Sequence, residues 1–352
     1  MCSQVPSRPR DRRYAFRVPK AKSVRLSDVA AVAGVSLATA SKALNGNPRI
    51  SAATRERVRA AADRLDFRPN ALARSFASGR SGTIGVLTHR AKNTFARPVA
   101  MGAILQLGAQ NQAALVYDGD VQETRAMADS IRELQARRID GLLVIGDGHE
   151  HASPSLTHNF DVPVTYIFTA SSDPGDVMYL PDNREAGRMA TQHLIDTGNT
   201  RIAHLGGPET SIAAQRRRAG MRDALAGAGL QPAGPVVNSD WTRVRGAVAM
   251  AELLASGAEF DAVFCANDHI ALGALETCAA AGLRIPDDIA LIGVDNWEGT
   301  VVDQDGSRQL TSVDLELMEL GRLGAASLTT GEHTAGEHFS TPTLAVGPSS
   351  RS

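Results

Sequence analysis

The chain reads as a small all-α head followed by an α/β body of two lobes built on parallel sheets, and three observations lead there. Residues 1–80 hold 17 Lys/Arg against 5 Asp/Glu, a net of +12, while residues 81–352 hold 20 against 33, a net of −13. Residues 24–79 contain short amphipathic segments separated by capping residues and a glycine turn. From Gly82 onward, apolar runs of strand length alternate with segments of helix length. At 352 residues the chain exceeds one ordinary core and suits a head plus larger domains.

In the head, Ser27 is a candidate N-cap for a helix over about Asp28–Ala33, with Val29, Ala30 and Ala33 at helical spacing on one face. Gly34 supplies the backbone freedom for a sharp turn. Val35 can pin that turn to the core, and Ser36 can cap a second helix over Leu37–Leu44. A small residue, a turn glycine and an apolar anchor in this order make a helix-turn-helix, whose second helix enters the DNA major groove by its N-terminal end. Ser51 caps a third helix to about Leu65, striped by Val58, Ala61, Ala62 and Leu65 with Arg55, Arg57, Arg59 and Arg64 largely off the stripe. A plain three-helix bundle would show the same caps; the cationic excess is what turns the reading towards DNA, with affinity that falls steeply with salt.

In the body, strand-like runs at Thr83–Leu87, Ala114–Tyr117, Gly141–Ile145 and Val164–Phe168 alternate with helix-like segments at Val99–Gln110 and Thr124–Arg137. A second series follows: Ala186–Asp196, Arg201–Leu205, Ala213–Ala228, Val244–Ser256, Ala262–Cys265, Ile270–Ala281 and Ile289–Val294. Continuous apolar strands with intervening helices indicate parallel sheets covered on both faces. Two such series indicate two lobes, with ligands expected at the carboxyl ends of the strands.

Several classes are disfavoured. Cys2, Cys265 and Cys278 are too few and too scattered for a disulfide framework or a metal site, which fits a reducing cytoplasm. No apolar run approaches the roughly 20 residues that span a bilayer, and the Arg-rich N-terminus has no apolar segment behind it. The chain has no G-x-x-x-x-G-K-[ST], G-x-S-x-G or H-E-x-x-H. His149-Glu150-His151 reads as an exposed loop without a third defined ligand, and Asp118-Gly119-Asp120 as a strand-end turn. No metal, cofactor or catalytic activity is expected.

The segment VRLSDVAAVAGVSLATASKALNG, with ISAATRERVRAAADRLDFRPNALARSFASGRSGTIGV after it, resembles the N-terminal region of the LacI/GalR family of bacterial transcriptional regulators. The stretches RRIDGLLVIG, DNREAGRMATQHLIDTGNTRIAHLGGP, RRRAGMRDAL, FCANDHIALGAL and RIPDDIALIGVDN resemble that family's periplasmic-binding-protein-like effector domain. The resemblance covers about residues 24–325 and departs at Thr88–Ala96 and after Gly331. It implies a disordered basic tail (1–22), a helix-turn-helix DNA-binding domain (23–68), a hinge helix and linker (69–80), a two-lobed effector-binding and dimerisation domain (81–345) and a C-terminal tail (346–352).

For DNA, the resemblance points to Ser36, Leu37, Ala38, Thr39, Ser41, Lys42 and Asn45 on the reading helix, and to Asn70, Arg74 and Phe76 in the hinge. Leu37 and Ala38 stand where the family's residues vary with operator sequence; lacking hydrogen-bonding groups, they can meet thymine methyls or leave a base edge unread. Ser36 and Thr39 stand near the helix N-terminus, where phosphate is favoured. Pro69 suits the first turn of the hinge helix, and Phe76 replaces the usual leucine as a minor-groove wedge or packs in the hinge.

For the effector, it points to Phe95, Glu185, Arg217, Trp241, Asn267 and Asp295. Converging Arg, Asn and Asp groups can hold several hydroxyls, and an indole can stack on the apolar face of a sugar. Each has a plainer alternative: Asn267 and Asp268 as a helix cap, Trp241 as core, Arg217 as a structural ion pair, Asp295 as a turn residue. The implied function is a cytoplasmic homodimeric repressor of operator DNA, controlled by a carbohydrate effector. A purine-type or other non-sugar ligand, or activation in place of repression, suits the same fold. A solute-binding protein would carry an export signal and no helix-turn-helix, the reverse of this chain.

Overall fold

The computed structural model describes residues 24–68, 79–88, 94–118, 124–148, 152–303, 305–331 and 334–351. The chain divides into two compact units, residues 1–79 and 80–352.

In the first unit, α1 (Leu26–Ala33), α2 (Leu37–Leu44) and α3 (Ala52–Arg64) pack around Val29, Ala30, Ala33, Ala40, Ala43, Val58, Ala61 and Ala62. The turn between α1 and α2 rests on Gly34 at φ 63°, a left-handed conformation that costs glycine nothing. The Val35 amide donates to Ala30 O at 3.0 Å and closes it. Ser36 and Ser51 cap α2 and α3, their Oγ atoms accepting from the Thr39 and Thr54 amides at 3.1 and 3.2 Å. Ser27 is not the first cap. The helix begins one residue earlier, because the Asp28 carboxylate accepts from the Arg25 amide at 2.8 Å and holds the entry from within the first turn. Arg55 also departs from a free basic face: its guanidinium donates to Asn47 O and Ile50 O, each at 3.2 Å, and fixes the loop between α2 and α3.

The second unit has two six-stranded sheets. The first is ordered β11-β5-β4-β3-β1-β2, with β1 (Thr83–Thr88), β2 (Ala113–Asp118), β3 (Gly141–Ile145), β4 (Val164–Ile167), β5 (Val177–Pro181) and β11 (Gly336–Ser340) all parallel. The second is ordered β12-β10-β9-β8-β6-β7, with β6 (Ile202–Gly206), β7 (Val237–Asn238), β8 (Ala262–Cys265), β9 (Ala290–Val294) and β10 (Thr311–Asp314) parallel, and β12 (Thr343–Ala345) antiparallel to β10. Helices α4 (Ala96–Ala109), α5 (Thr124–Ala136) and α11 (Leu317–Thr330) belong with the first sheet. Helices α6 (Asn183–Asp196), α7 (Ile212–Gly227), α8 (Arg243–Ala255) and α9 (Asp268–Ala280), with the short α10 (Glu298–Val301), belong with the second.

The two apolar series map onto the two lobes, but the chain beyond β9 returns to the first lobe and back again. The chain crosses between them three times: after β5, after β10, and between β11 and β12. The last crossings meet where Ser340 Oγ donates to Leu315 O at 3.0 Å. Residues 346–352 are not a free tail, as far as they are described. Ser349 and Ser350 are buried, and Ser349 Oγ donates to Leu291 O at 2.7 Å while accepting from the Thr311 amide at 2.8 Å. Capture by the sheet overrides their polar composition.

Candidate effector cavity and DNA-facing helix

On the head, Leu37, Ala38, Lys42 and Asn45 are exposed, and Ser41 is half-buried beside them. At 100° per residue these positions share one face of α2, while Ala40 and Ala43 hold the opposite face in the core. Leu37 is 55% exposed, an apolar side chain facing water at the first helical position. The Ser36 and Thr39 hydroxyls lie 2.8 Å apart at the N-terminus of the helix, so both stand where an anion would be favoured. Asn70, Arg74 and Phe76 lie outside the described residues, as does His149-Glu150-His151.

In the body, a cavity of about 340 Å³ lies between the lobes. The first lobe lines it with Phe95 from the start of α4, Asp147 and Gly148 after β3, Phe168 to Ala170 after β4, Leu180 and Pro181 from β5, and Glu337 from β11. The second lobe contributes Asn183, Ile212, Arg216, Arg217, Trp241, Asn267, His269 and Asp295. These positions fall mostly at the carboxyl ends of strands and at helix N-termini, the ligand location of open α/β sheets.

Arg217 is the centre of the polar floor and is 5% exposed. Its Nε donates to Asn183 Oδ1 at 2.8 Å, one terminal nitrogen to Ala266 O at 2.5 Å, and the other to Asp295 Oδ1 at 3.1 Å. The guanidinium thus ties α6, the end of β8 and the end of β9 together. Its reach depends on close packing of α6 on α7: a Cβ on Gly187 would stand 2.0 Å from Arg217 O, and one on Gly220 1.8 Å from Arg184 O. The two backbones can touch only because both positions lack side chains.

Asp295 follows β9 at φ 107°. Burial pushes its carboxyl above the ordinary range, and the Arg217 charge offsets part of that rise. Behind it, burial and then the charge of Asp295 push Asp268 well up, although Ser312 Oγ donates to its Oδ1 at 2.6 Å. Asn267 serves two purposes: its Oδ1 caps α9 by accepting from the Ile270 amide at 2.9 Å, and its Nδ2 donates to Trp241 O at 3.3 Å. Trp241 lies against Gly207, where an added Cβ would meet the ring at 2.5 Å, and the Arg217 guanidinium stands 5.7 Å from the ring centroid. The indole is therefore packed against a glycine and has a cation over its ring.

The structure brings Phe95, Arg217, Trp241, Asn267 and Asp295 to one cavity. Glu185 is not among the lining residues. It sits one turn into α6 and pairs with Arg188, Nε to Oε2 at 2.7 Å, and this pairing holds its carboxyl below the usual range. Helical geometry turns it away, and Asn183 at the first position of α6 faces the cavity in its place. Phe168, Asp147, Arg216, His269 and Glu337 were not singled out as site residues in the sequence reading. Asn183, Arg216 and His269 stood inside quoted motifs, and Phe168 closed a strand-like run, which was a usable signal.

Among the described residues, no group of three or more His, Cys, Asp or Glu could hold a metal ion, and no helix is long and apolar enough to cross a membrane. The site is a solvent-connected recess with hydrogen-bonding groups on its floor and aromatic rings on its walls. Such a recess has the lining of a small-molecule site.

The comparisons agree with that class. Residues 81–338 match the family described as periplasmic binding proteins and sugar binding domain of the LacI family, and residues 25–70 match the bacterial regulatory proteins of the lacI family. This chain belongs to the LacI family: it is a sequence-specific DNA-binding transcriptional regulator with an effector-binding domain. It is 35% identical over 323 residues to the HTH-type transcriptional regulator CelR of Thermobifida fusca, covering 88% of this chain and 93% of that protein. It is 34% identical to the ribose operon repressor of Escherichia coli K12, covering 78% of this chain and 83% of that one. Among solved structures, the CelR–cellobiose complex matches with a TM-score of 0.61 at 29% identity over 93% of this chain and 99% of that chain. The lac repressor dimer bound to operator and the anti-inducer ONPF matches at 0.67 and 26%, with the same coverage.

Proposed function

We propose that this protein is a homodimeric repressor that holds a two-fold operator through its head and releases it when a neutral sugar or oligosaccharide fills the interlobe cavity. The observation that carries the reading is the convergence of Arg217, Asn267 and Asp295 on one floor beside the face of Trp241. Charged and amide groups hold hydroxyls bidentately, and the indole covers the C–H face of a pyranose. The solved relative CelR carries cellobiose and the related ribose operon repressor is named for a sugar operon, which supports a carbohydrate.

In this reading, Ser36 and Thr39 hold phosphate, Leu37 and Ala38 face the bases, and Lys42 and Asn45 extend the contact along the same face of α2. Asn70, Arg74 and Phe76 act in the hinge. Dimer formation is supported by the exposed apolar surface of Met101, Ile104 and Leu105 on α4, with Val116 on the edge strand β2. A two-fold protein reads a two-fold site. Closure of the lobes on a ligand changes the geometry delivered to the head, so ligand affinity and DNA affinity are linked and reciprocal.

A second reading, a purine-type ligand, has its own support: the HTH-type transcriptional repressor PurR of Vibrio parahaemolyticus is 34% identical over 281 residues, and Phe95 and Phe168 both line the cavity. A calorimetric panel of cellobiose, glucose, ribose, guanine and hypoxanthine against the full-length protein separates the two. The account expects saturable binding of at least one sugar; binding of a nucleobase with no response to any sugar would replace the carbohydrate reading with the purine one.

A further inference from the structure

Arg216 and Glu337 are cavity-lining side chains that join the lobes directly. Arg216 stands on α7 of the second lobe, next to the effector arginine, and Glu337 on β11 of the first. One terminal nitrogen of Arg216 donates to both carboxylate oxygens, at 2.9 and 3.1 Å. The same guanidinium lies 5.8 Å from the ring centroid of Phe339. Glu337 and Phe339 are two residues apart on β11 and so project from one face of the strand. Two side chains of one lobe thus grip one side chain of the other, by charge and by a ring face.

We infer that Arg216, Glu337 and Phe339 form a cross-cleft latch that holds the lobes in the closed arrangement before any effector arrives. Three features make this more than an ordinary surface ion pair. Its partners are 121 residues apart and belong to different lobes. The pair is only partly shielded, at 34% and 35% side-chain exposure, with Phe339 beside it. Their strand leads, about 10 Å further on, into the third crossover at residues 341 and 342. Rotation of one lobe on the other therefore moves Glu337 relative to Arg216 by ångströms, and a hydrogen-bonded ion pair does not survive that displacement.

The latch also explains how the cavity treats charge. Arg216 and Arg217 are each matched by a carboxylate, Glu337 and Asp295. A neutral ligand can add hydrogen bonds to the latch without opening it. An anion must take Arg216 from Glu337 and then face an unpaired carboxylate. The latch rests on the proposed function only in taking the cavity as the effector site.

The test uses the full-length protein with spin labels at Glu133→Cys on α5 and Glu252→Cys on α8, both exposed, with Cys2→Ser to leave only buried native thiols. Pulsed electron resonance reads the interlobe distance without ligand. Arg216→Gln and Glu337→Gln are expected to lengthen and broaden the distribution, and the exchange Arg216→Glu with Glu337→Arg to restore it. Single variants should also bind the effector about three- to tenfold more weakly, as the closed state loses population. Unchanged distances in both single variants overturn the latch. So does an exchange variant no closer to wild type than the singles. Because the distance is read on ligand-free protein, failure of the sugar assignment leaves this result intact.

Discussion

Replacing Arg217 with Met keeps most of the side-chain volume and removes the charge that three elements share. The guanidinium currently satisfies Asn183 Oδ1, Ala266 O and Asp295 Oδ1 at a nearly fully buried position. Breaking a buried pair by deleting one partner costs about 3–5 kcal/mol, because the other charge is left behind. For a domain of this size that lowers Tm by roughly 6–20 °C at fixed protein concentration. The loss has a pH signature. Burial already raises the Asp295 carboxyl above its ordinary range, and Arg217 is what offsets that rise. Without Arg217 the folded carboxyl takes up its proton at still higher pH, while the unfolded one titrates at its ordinary value. The folded state then binds more protons than the unfolded between those two pKa values, so the variant is steadiest in acid and loses stability as pH rises through that window. The gap from wild type should widen as pH rises from the acid range towards neutral. Adding Asp295→Asn removes the stranded charge and should recover about half of the loss, leaving about 1–3 kcal/mol for the unmet carbonyl oxygens. Thermal melts of the wild type and the two variants from acid to neutral pH decide it. A gap independent of pH, or a double variant no more stable than Arg217→Met, would refute the claim that charge compensation holds this floor together.

Three further outcomes follow from the same geometry. Trp241→Ala should weaken effector binding about 30-fold, from about 2 kcal/mol of lost aromatic contact, with operator affinity of the ligand-free protein kept; calorimetry and fluorescence anisotropy separate the two. Gly187→Ala places a Cβ 2.0 Å from Arg217 O and must push α7 outward, so effector affinity should fall along with about 1–3 kcal/mol of stability; an unchanged Kd would show that α6–α7 spacing does not position Arg217. His204 is fully enclosed and burial pushes its pKa down to about 4, so its ring should stay neutral in NMR titrations down to about pH 5. Because its folded pKa lies below its unfolded one, it contributes stability above the unfolded value that is lost as pH falls towards 4.

Local rules carried much of the architecture, and distance in sequence marks where they stopped. The head was readable because its signals lie within a few residues of one another: Gly34 at the turn, Ser36 and Ser51 at caps, alanines at helical spacing. Apolar strands such as Ala262–Cys265 were readable because both faces are buried and every residue is apolar. The stretch after β9 was not. Helix α11 carries Gly321 and Gly324, which lower helical propensity but allow contact with α4 and β4. Strand β11 is an edge strand whose burial alternates and whose residues include Gly336, Glu337 and His338, a pattern with little strand signal. The assignment of α11 and β11 to the first lobe depends on crossovers that no spacing encodes.

The cavity divides in the same way. Arg217, Asn267 and Asp295 occupy motif positions at strand ends or on the helix after one, and converge. Glu185 also occupied such a position, yet the helical turn aims it at Arg188. Arg216 and Glu337 were invisible because neither stands in a motif with the other and their meeting is a product of the folded topology. Ser349 and Ser350 stood in a stretch the resemblance gives as a tail, yet Ser349 meets backbone groups of β9 and β10 and Ser350 pairs with His193 and Thr311.

The central claim is that occupancy of the interlobe cavity sets the grip of the head on DNA. The direct measurement is the anisotropy of a labelled duplex, selected by the full-length protein from a random pool, titrated with and without the sugar that calorimetry identifies. A shift of at least fivefold in operator Kd, abolished in Trp241→Ala while its ligand-free affinity is unchanged, is the predicted result. Saturating sugar that leaves the operator Kd unaltered would contradict the account.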